Sequence, residues 1–178
     1  MLAANLAWAI PVDEDATQGK APTLTGQLTE QMAQAKQVVG DRSADLLGRA
    51  MGLLGIPYRY GGNSEKTGFD CSGFVRHLYE KSFGKVLPRR ADDQARATET
   101  IDANDLKPGD LVFFNTMKRA FSHVGVYVGD GKFIHSPQTG KSVQIDDMRM
   151  AYWQKRFNGA RRVNAPTPSA QPAADNNR

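Results

Sequence analysis

The 178 residues are 40% hydrophobic and 24% charged, enough apolar material for one self-supporting core, and a single cysteine rules out any disulfide within the chain. A formal net charge of +4 favours acidic partners, but the basic residues alternate with Asp and Glu and form neither zinc-finger spacing nor a sustained basic helix, so nucleic-acid binding is not expected. No apolar run reaches the roughly 18 residues of a membrane helix, so no transmembrane segment is expected either.

Residues 1–9 are mostly apolar and close on Ala7-Trp8-Ala9, a small-x-small pattern that fits a secretory cleavage site. The first basic residue is Lys20, so the positive leading segment of a signal is missing. Residues 1–26 are therefore read either as a truncated signal remnant and a disordered linker, which points to a periplasmic or secreted protein, or as no more than a frayed N-terminus. Residues 27–40 have the composition of a helix or stalk, 41–163 form the folded domain, and 164–178, rich in Pro, Ala and Asn, form a disordered tail.

From Ser43 the pattern sharpens. Leu46, Leu47, Ala50, Met51 and Leu54 recur at helical steps behind a cap at Asp41 or Ser43, with Gly55 and Pro57 to stop the helix. A second helix is expected from Cys71 to about Phe83, burying Phe74, Val75, Leu78 and Tyr79 and ending at Gly84. A short polar helix follows between Arg90 and Thr98. Beyond the Pro108-Gly109 turn the period becomes that of strands, at 111–114, 123–128, 132–136 and 143–145. Helices first and antiparallel strands after them define an α+β domain, its N-terminal helices packed on an antiparallel sheet.

Cys71 lies where a loop becomes a helix, in Phe69-Asp70-Cys71-Ser72-Gly73-Phe74. It is either an inert packed thiol or a nucleophile. With Asp70 as N-cap, the unpaired N–H groups and dipole of the helix end favour a thiolate, and a nearby imidazole lowers the thiol further. Asp70 opposes that effect and is read as a structural cap. Ser72 and Gly73 are small enough to admit a carbonyl, and the N–H groups at this helix end suit a developing oxyanion. Tyr58 is a core or platform residue unless its hydroxyl points at Cys71, and Arg89-Arg90 is a solvated pair unless the cleft is adjacent.

A nucleophilic cysteine needs a base, and the chain has three histidines. His77, six residues past Cys71, turns to another helix face and is read as a surface residue. His123 and His135 flank Gly129-Asp130-Gly131. A two-residue turn at Asp130-Gly131 would put them on opposite faces of the ribbon. A three-residue loop places His135 opposite Gly125, brings both rings to one face, and sends Val124, Val126, Val128 and Ile134 to the other. Burial of those residues selects the three-residue loop. Cys71 and two histidines would also meet the ligand count of a zinc site, but no metal or other cofactor is expected.

Several ordered motifs, Pro57-Tyr58-Arg59-Tyr60-Gly61-Gly62, Phe69-Asp70-Cys71-Ser72-Gly73-Phe74-Val75, Leu87-Pro88-Arg89, Pro108-Gly109-Asp110-Leu111-Val112 and Ser122-His123-Val124-Gly125, together resemble the NlpC family of bacterial cell-wall cysteine peptidases. The resemblance runs from about Ala44 to Ile145. It implies a compact papain-like α+β fold and hydrolysis of amide bonds in peptidoglycan stem peptides, either between γ-D-Glu and a diamino acid or at a D,D cross-link. It also implies Cys71 as nucleophile, His123 as base and His135 as the residue that orients it, with Tyr58 and Ser72 at the oxyanion or substrate. A monomer served by a periplasmic adaptor or regulator fits this reading. An N-acetylmuramoyl-L-alanine amidase of CHAP type and a non-catalytic wall-binding module are the alternatives.

Overall fold

The computed structural model describes residues 24–164. The chain divides into two units, 1–35 and 36–178, with the boundary inside the first helix, α1 (Leu24–Gly52). That helix runs through the positions proposed as caps, because nothing between Leu24 and Gly52 breaks it: neither Gly40 nor Gly48 is followed by proline. Residues 24–26, read as linker, form its first turn. The remainder of the proposed signal segment and residues 165–178 of the C-terminal tail lie outside the described residues.

In the second unit the C-terminal part of α1 buries Leu46 and Ala50 completely and is followed by buried Leu53. Met51 and Leu54, placed on the apolar face by spacing, are 39% and 42% exposed. The helix ends at Gly52, and Gly55 turns at φ 84°, so Leu54 sits in the exit loop and leaves the stripe. A two-stranded ribbon, β1 (Asn63–Ser64) with β2 (Gly68–Phe69), then delivers the chain to α2 (Cys71–Phe83).

Both ends of α2 follow from sequence. Asp70 is extended at the N-cap and accepts the Gly73 N–H, while Gly84 closes the helix in the left-handed region at φ 65°. The buried face carries Phe74, Val75, Leu78 and Tyr79. After α3 (Ala91–Arg96) come β3 (Glu99–Ile101), β4 (Leu111–Phe114), β5 (His123–Gly129), β6 (Lys132–His135), β7 (Gln144–Asp147), α4 (Ala151–Gln154) and β8 (Phe157–Arg162). The six-stranded antiparallel sheet has the order β3-β8-β4-β5-β6-β7. This is an α+β fold.

Strand β4 is the hub of the sheet and is buried on both faces. Leu111 and Phe113 join the core formed with α1 and α2, whereas Val112 and Phe114 pack with Phe133 and Trp153 on the other side. Its unbroken Leu-Val-Phe-Phe run is the sequence mark of a strand with no wet face. Chains entering and leaving this sheet therefore present their side chains to one of two dry layers, and polar groups found there need partners.

The β5–β6 ribbon corrects the expected turn. Its tip is a two-residue connection, Asp130-Gly131, with φ of 51° and 71° as a type I′ turn requires, and Gly129 pairs with Lys132. A bulge between Tyr127 and Gly129 then shifts the register, so that Val126 pairs with Ile134. Continuing that pairing sets His135 opposite Gly125, and both histidines reach the same face by a bulge rather than a longer loop. Val124, Val126 and Ile134 are fully buried on the opposite face, and Val128 is half-buried beside them.

Candidate active site

The N-terminus of α2, the start of β5 and strand β7 converge on a cleft of ≈ 810 Å³. Tyr58, Cys71, Ser72, His123 and Asp146 all line it. Cys71 is half-buried at its floor. The backbone N–H groups of Val124 and Ser72 point at its sulfur. Asp70 takes the N–H of Gly73 through its side chain at 2.8 Å and that of Phe74 through its carbonyl at 2.9 Å, so the cap uses neither the Cys71 N–H nor the Ser72 N–H, the latter facing the sulfur.

Asp70 does more than cap. Its second oxygen accepts the Gly61 N–H at 3.0 Å, and Arg89 grips both oxygens while also donating to Ser72 Oγ at 3.0 Å. The positive φ of Gly61, 74°, lets that loop turn its N–H inward. Close packing fixes the helix tip: a Cβ on Gly73 would fall 2.1 Å from the Gly62 carbonyl oxygen. Arg89 is thus a structural partner of the tip and lines the cleft, and Arg90 lines it while paired with Asp92.

The electrostatics at the sulfur run against the sequence expectation of a lowered thiol. Burial, reinforced by the Asp70 charge, pushes the Cys71 thiol up to about 11, and the two N–H groups and Arg89 offset only part of this. The His123 ring, buried in the dry layer, is held well below its ordinary value by desolvation and then by neighbouring His135. Both shifts favour the uncharged forms, a thiol and a neutral imidazole.

His123 and His135 meet directly. His123 Nε2 lies 2.7 Å from His135 Nδ1, the rings being nearly perpendicular with centroids 4.9 Å apart. His135 is completely buried, and its Nε2 lies 3.0 Å from Asp146 Oδ2. Gln144 donates to Asp146 Oδ1 at 3.0 Å, and the Trp153 indole is a further donor to this carboxylate. Burial holds His135 below its ordinary value against the opposing pull of Asp146, and the His135 hydrogen bond holds Asp146 below the usual carboxylate range. Trp153 also stacks on His123 at 22° with centroids 5.8 Å apart.

Of the residues proposed from sequence, Tyr58, Cys71, Ser72 and His123 line one cleft, and His135 stands directly behind His123. His77 is not a surface residue but is partly buried, with its ring against Phe69 and Nε2 3.2 Å from Glu65. It lies outside the cleft. Asp146 and Trp153 were not singled out. Strand pairing carries the missing signal for Asp146: once β7 is laid against β6 with Gln144 opposite His135, the residue two further on shares the face of His135. Trp153 rides on the four-residue α4, too short for any periodic pattern to declare. Among the described residues no three of His, Cys, Asp and Glu are grouped to hold a metal ion.

A thiol, an imidazole within its cleft and a partner that orients the imidazole are the equipment of nucleophilic catalysis. The chain belongs to the NlpC/P60 family, whose family model matches residues 55–162. It is 47% identical over 123 residues to "Murein DD-endopeptidase MepH" of Escherichia coli K12, covering 67% of this chain and 45% of that protein. It is 43% identical over 120 residues to "Gamma-D-glutamyl-L-lysine dipeptidyl-peptidase" of Bacillus subtilis 168, covering 66% of this chain and 40% of that one. Among solved structures, an NlpC/P60 family protein from Bacillus cereus ATCC 10987 superposes with a TM-score of 0.62 at 39% identity, over 67% of this chain and 39% of the other. The chain spans less than half the length of each of these relatives.

Proposed function

We propose that this protein is a peptidoglycan hydrolase, a cysteine endopeptidase that cuts amide bonds in murein stem peptides. The observation that carries the reading is the convergence in one open cleft of Cys71 on a helix tip and His123 backed by His135. Cys71 serves as nucleophile. His123 uses Nε2 for His135, so Nδ1 is the nitrogen left to take the thiol proton as sulfur attacks the carbonyl. The N–H groups of the α2 tip that the cap does not use, with the Tyr58 hydroxyl at the cleft wall, stabilise the oxyanion, and Ser72 keeps its hydroxyl on Asp70 and Arg89, where it holds the tip in shape. His123 then protonates the leaving amine, and water activated by the same nitrogen releases the acyl-enzyme.

The two relatives are named for a D,D-endopeptidase and a γ-D-glutamyl peptidase, and both bonds are amides of the kind this cleft would cut. The D,D cross-link is the preferred assignment, supported by the higher identity to the murein D,D-endopeptidase. Arg119 and Lys141 at the cleft suit the carboxylates of wall peptides. A wall substrate supports a periplasmic or secreted localisation, and no helix among the described residues is long and apolar enough to cross a membrane. A monomer working with a periplasmic adaptor is the assembly that fits this reading.

The test is digestion of purified peptidoglycan with fragments identified by mass spectrometry. The protein should release new amino termini at the cross-link, and Cys71→Ala should lower the rate by at least about 10³-fold. Undiminished digestion by Cys71→Ala would overturn the thiol mechanism. Release of L-Ala termini would instead assign an amidase, and wall binding without fragments a binding module.

A further inference from the structure

Catalysis by His123 requires a bare nitrogen facing the sulfur, and a neutral imidazole carries its one remaining proton on either side. Nothing in Cys71 or His123 decides which. The decision lies two residues away, in a row of hydrogen bonds that ends at Asp146.

We propose that Asp146 is a positioning residue that fixes the proton on both imidazoles and thereby makes His123 a base toward Cys71. The inference rests on the thiol-hydrolase reading given above. An ionised carboxylate only accepts, so the 3.0 Å contact from His135 Nε2 to Asp146 Oδ2 places the His135 proton on Nε2. His135 Nδ1 is then a bare acceptor. The 2.7 Å contact to His123 Nε2 is consequently an N–H donated by His123, whose Nδ1 is left bare for the thiol proton.

During attack that proton passes from sulfur to His123 Nδ1, and the new imidazolium keeps its Nε2–H on His135. No proton need leave His135 or reach Asp146. The carboxylate acts by ending the row with an acceptor and by placing a negative charge behind the cation that forms. Its own position is over-determined: Gln144 donates to the other oxygen, Trp153 donates to the same group, and β7 is paired to β6 beside it.

Asp146→Asn tests the direction of the row. Gln144 donates to the oxygen away from His135 and calls for the amide oxygen there, which turns the amide NH2 toward His135 Nε2. That nitrogen must then accept, the His135 proton moves to Nδ1, His123 Nε2 becomes the acceptor, and His123 presents Nδ1–H to the sulfur. The base is gone although the bonds from Gln144 and along the two imidazoles are kept. The expected result is a fall in kcat on the order of 10³-fold with KM changed by less than about threefold, and partial recovery in Asp146→Glu.

The decisive readout is the 15N spectrum of the imidazoles near neutral pH. In the unmodified protein both histidines should carry the proton on Nε2, and in Asp146→Asn both should carry it on Nδ1. A wild-type spectrum with His135 protonated on Nδ1, or an Asp146→Asn variant that digests at the wild-type rate, overturns the proposal. The wild-type spectrum decides the matter even if no variant folds. Full activity in Asp146→Asn beside an inert Cys71→Ala would sink the positioning role alone, whereas a wild-type protein inert on peptidoglycan would sink the hydrolase reading.

Discussion

Cys71 is a thiol that its surroundings keep protonated. The helix tip offers it N–H groups, yet burial and the Asp70 carboxylate beside it outweigh them and push it to about 11. Ionisation is therefore coupled to attack: sulfur gives up its proton as it bonds to carbon, and the charge passes to an oxyanion near the α2 N–H groups. This predicts how the free protein meets a small electrophile. Alkylation by iodoacetamide, followed by the mass of the intact chain, should be slow at pH 7.5. It should keep accelerating through pH 9 and 10, beyond the point near 8.5 where an ordinary thiol levels off. A plateau at or below neutrality would mean that a thiolate–imidazolium pair is already stored at rest.

The element that matters most is the β5–β6 ribbon, because one residue of slip would carry His135 to the other layer. Gly125 is its pin. A Cβ there would meet Phe133 Cδ2 at 2.6 Å, the Ile134 carbonyl oxygen at 2.9 Å and His135 Cβ at 3.1 Å, so the strands close tightly only because position 125 has no side chain. Gly125→Ala should destabilise the fold by about 1–3 kcal/mol in urea unfolding. It should also lower peptidoglycan digestion more than its loss of folded population explains, since the crowded backbone carries His135. An unchanged urea midpoint would show that the ribbon yields. Much of this ribbon was legible: alternating Val124, Val126 and Ile134 demanded one face and dictated that the histidines share the other. The route to that register was not, since Asp130 at φ 51° and the bulge beside Val128 are backbone choices that no hydrophobic pattern encodes. The cap at Asp70 and the stop at Gly84 were equally plain, because each is a local interaction of one residue with its own helix end. Asp146 and Trp153 were hidden for the opposite reason. Their roles exist only after β7 has paired with β6 at the sheet edge and α4 has brought Trp153 against the histidines.

At the scale of the molecule, the same buried groups set the pH range in which the second unit is stable. His123 and His135 are both held below their ordinary value by burial, so the folded chain keeps them neutral where the unfolded chain, titrating near 6.5, binds protons. A group whose pKa is depressed in this way costs stability as pH falls through the unfolded value, by up to about 1.4 kcal/mol per pH unit for each proton. Asp146, an acid held low, gives stability above the unfolded carboxylate value near 3.9 and loses it only below, so it does not shape this window. At the alkaline end the sign is reversed: Cys71, held up to about 11, stays protonated where the unfolded thiol ionises from about 8.5, and stability declines as pH climbs past that point. Tyr79, buried and pushed up with its hydroxyl on the Gly109 carbonyl, adds to that decline above about 10. The urea midpoint should therefore be flat between about pH 6.5 and 8.5 and fall on both sides. In His135→Gln the acid limb should lose about half its slope, one proton of two, whatever the variant's absolute stability. A midpoint that stays level from pH 7.5 down to 5.0 would mean that the imidazole pair is solvated or charged in the folded protein, and the dry layer under Trp153 would then have to be open.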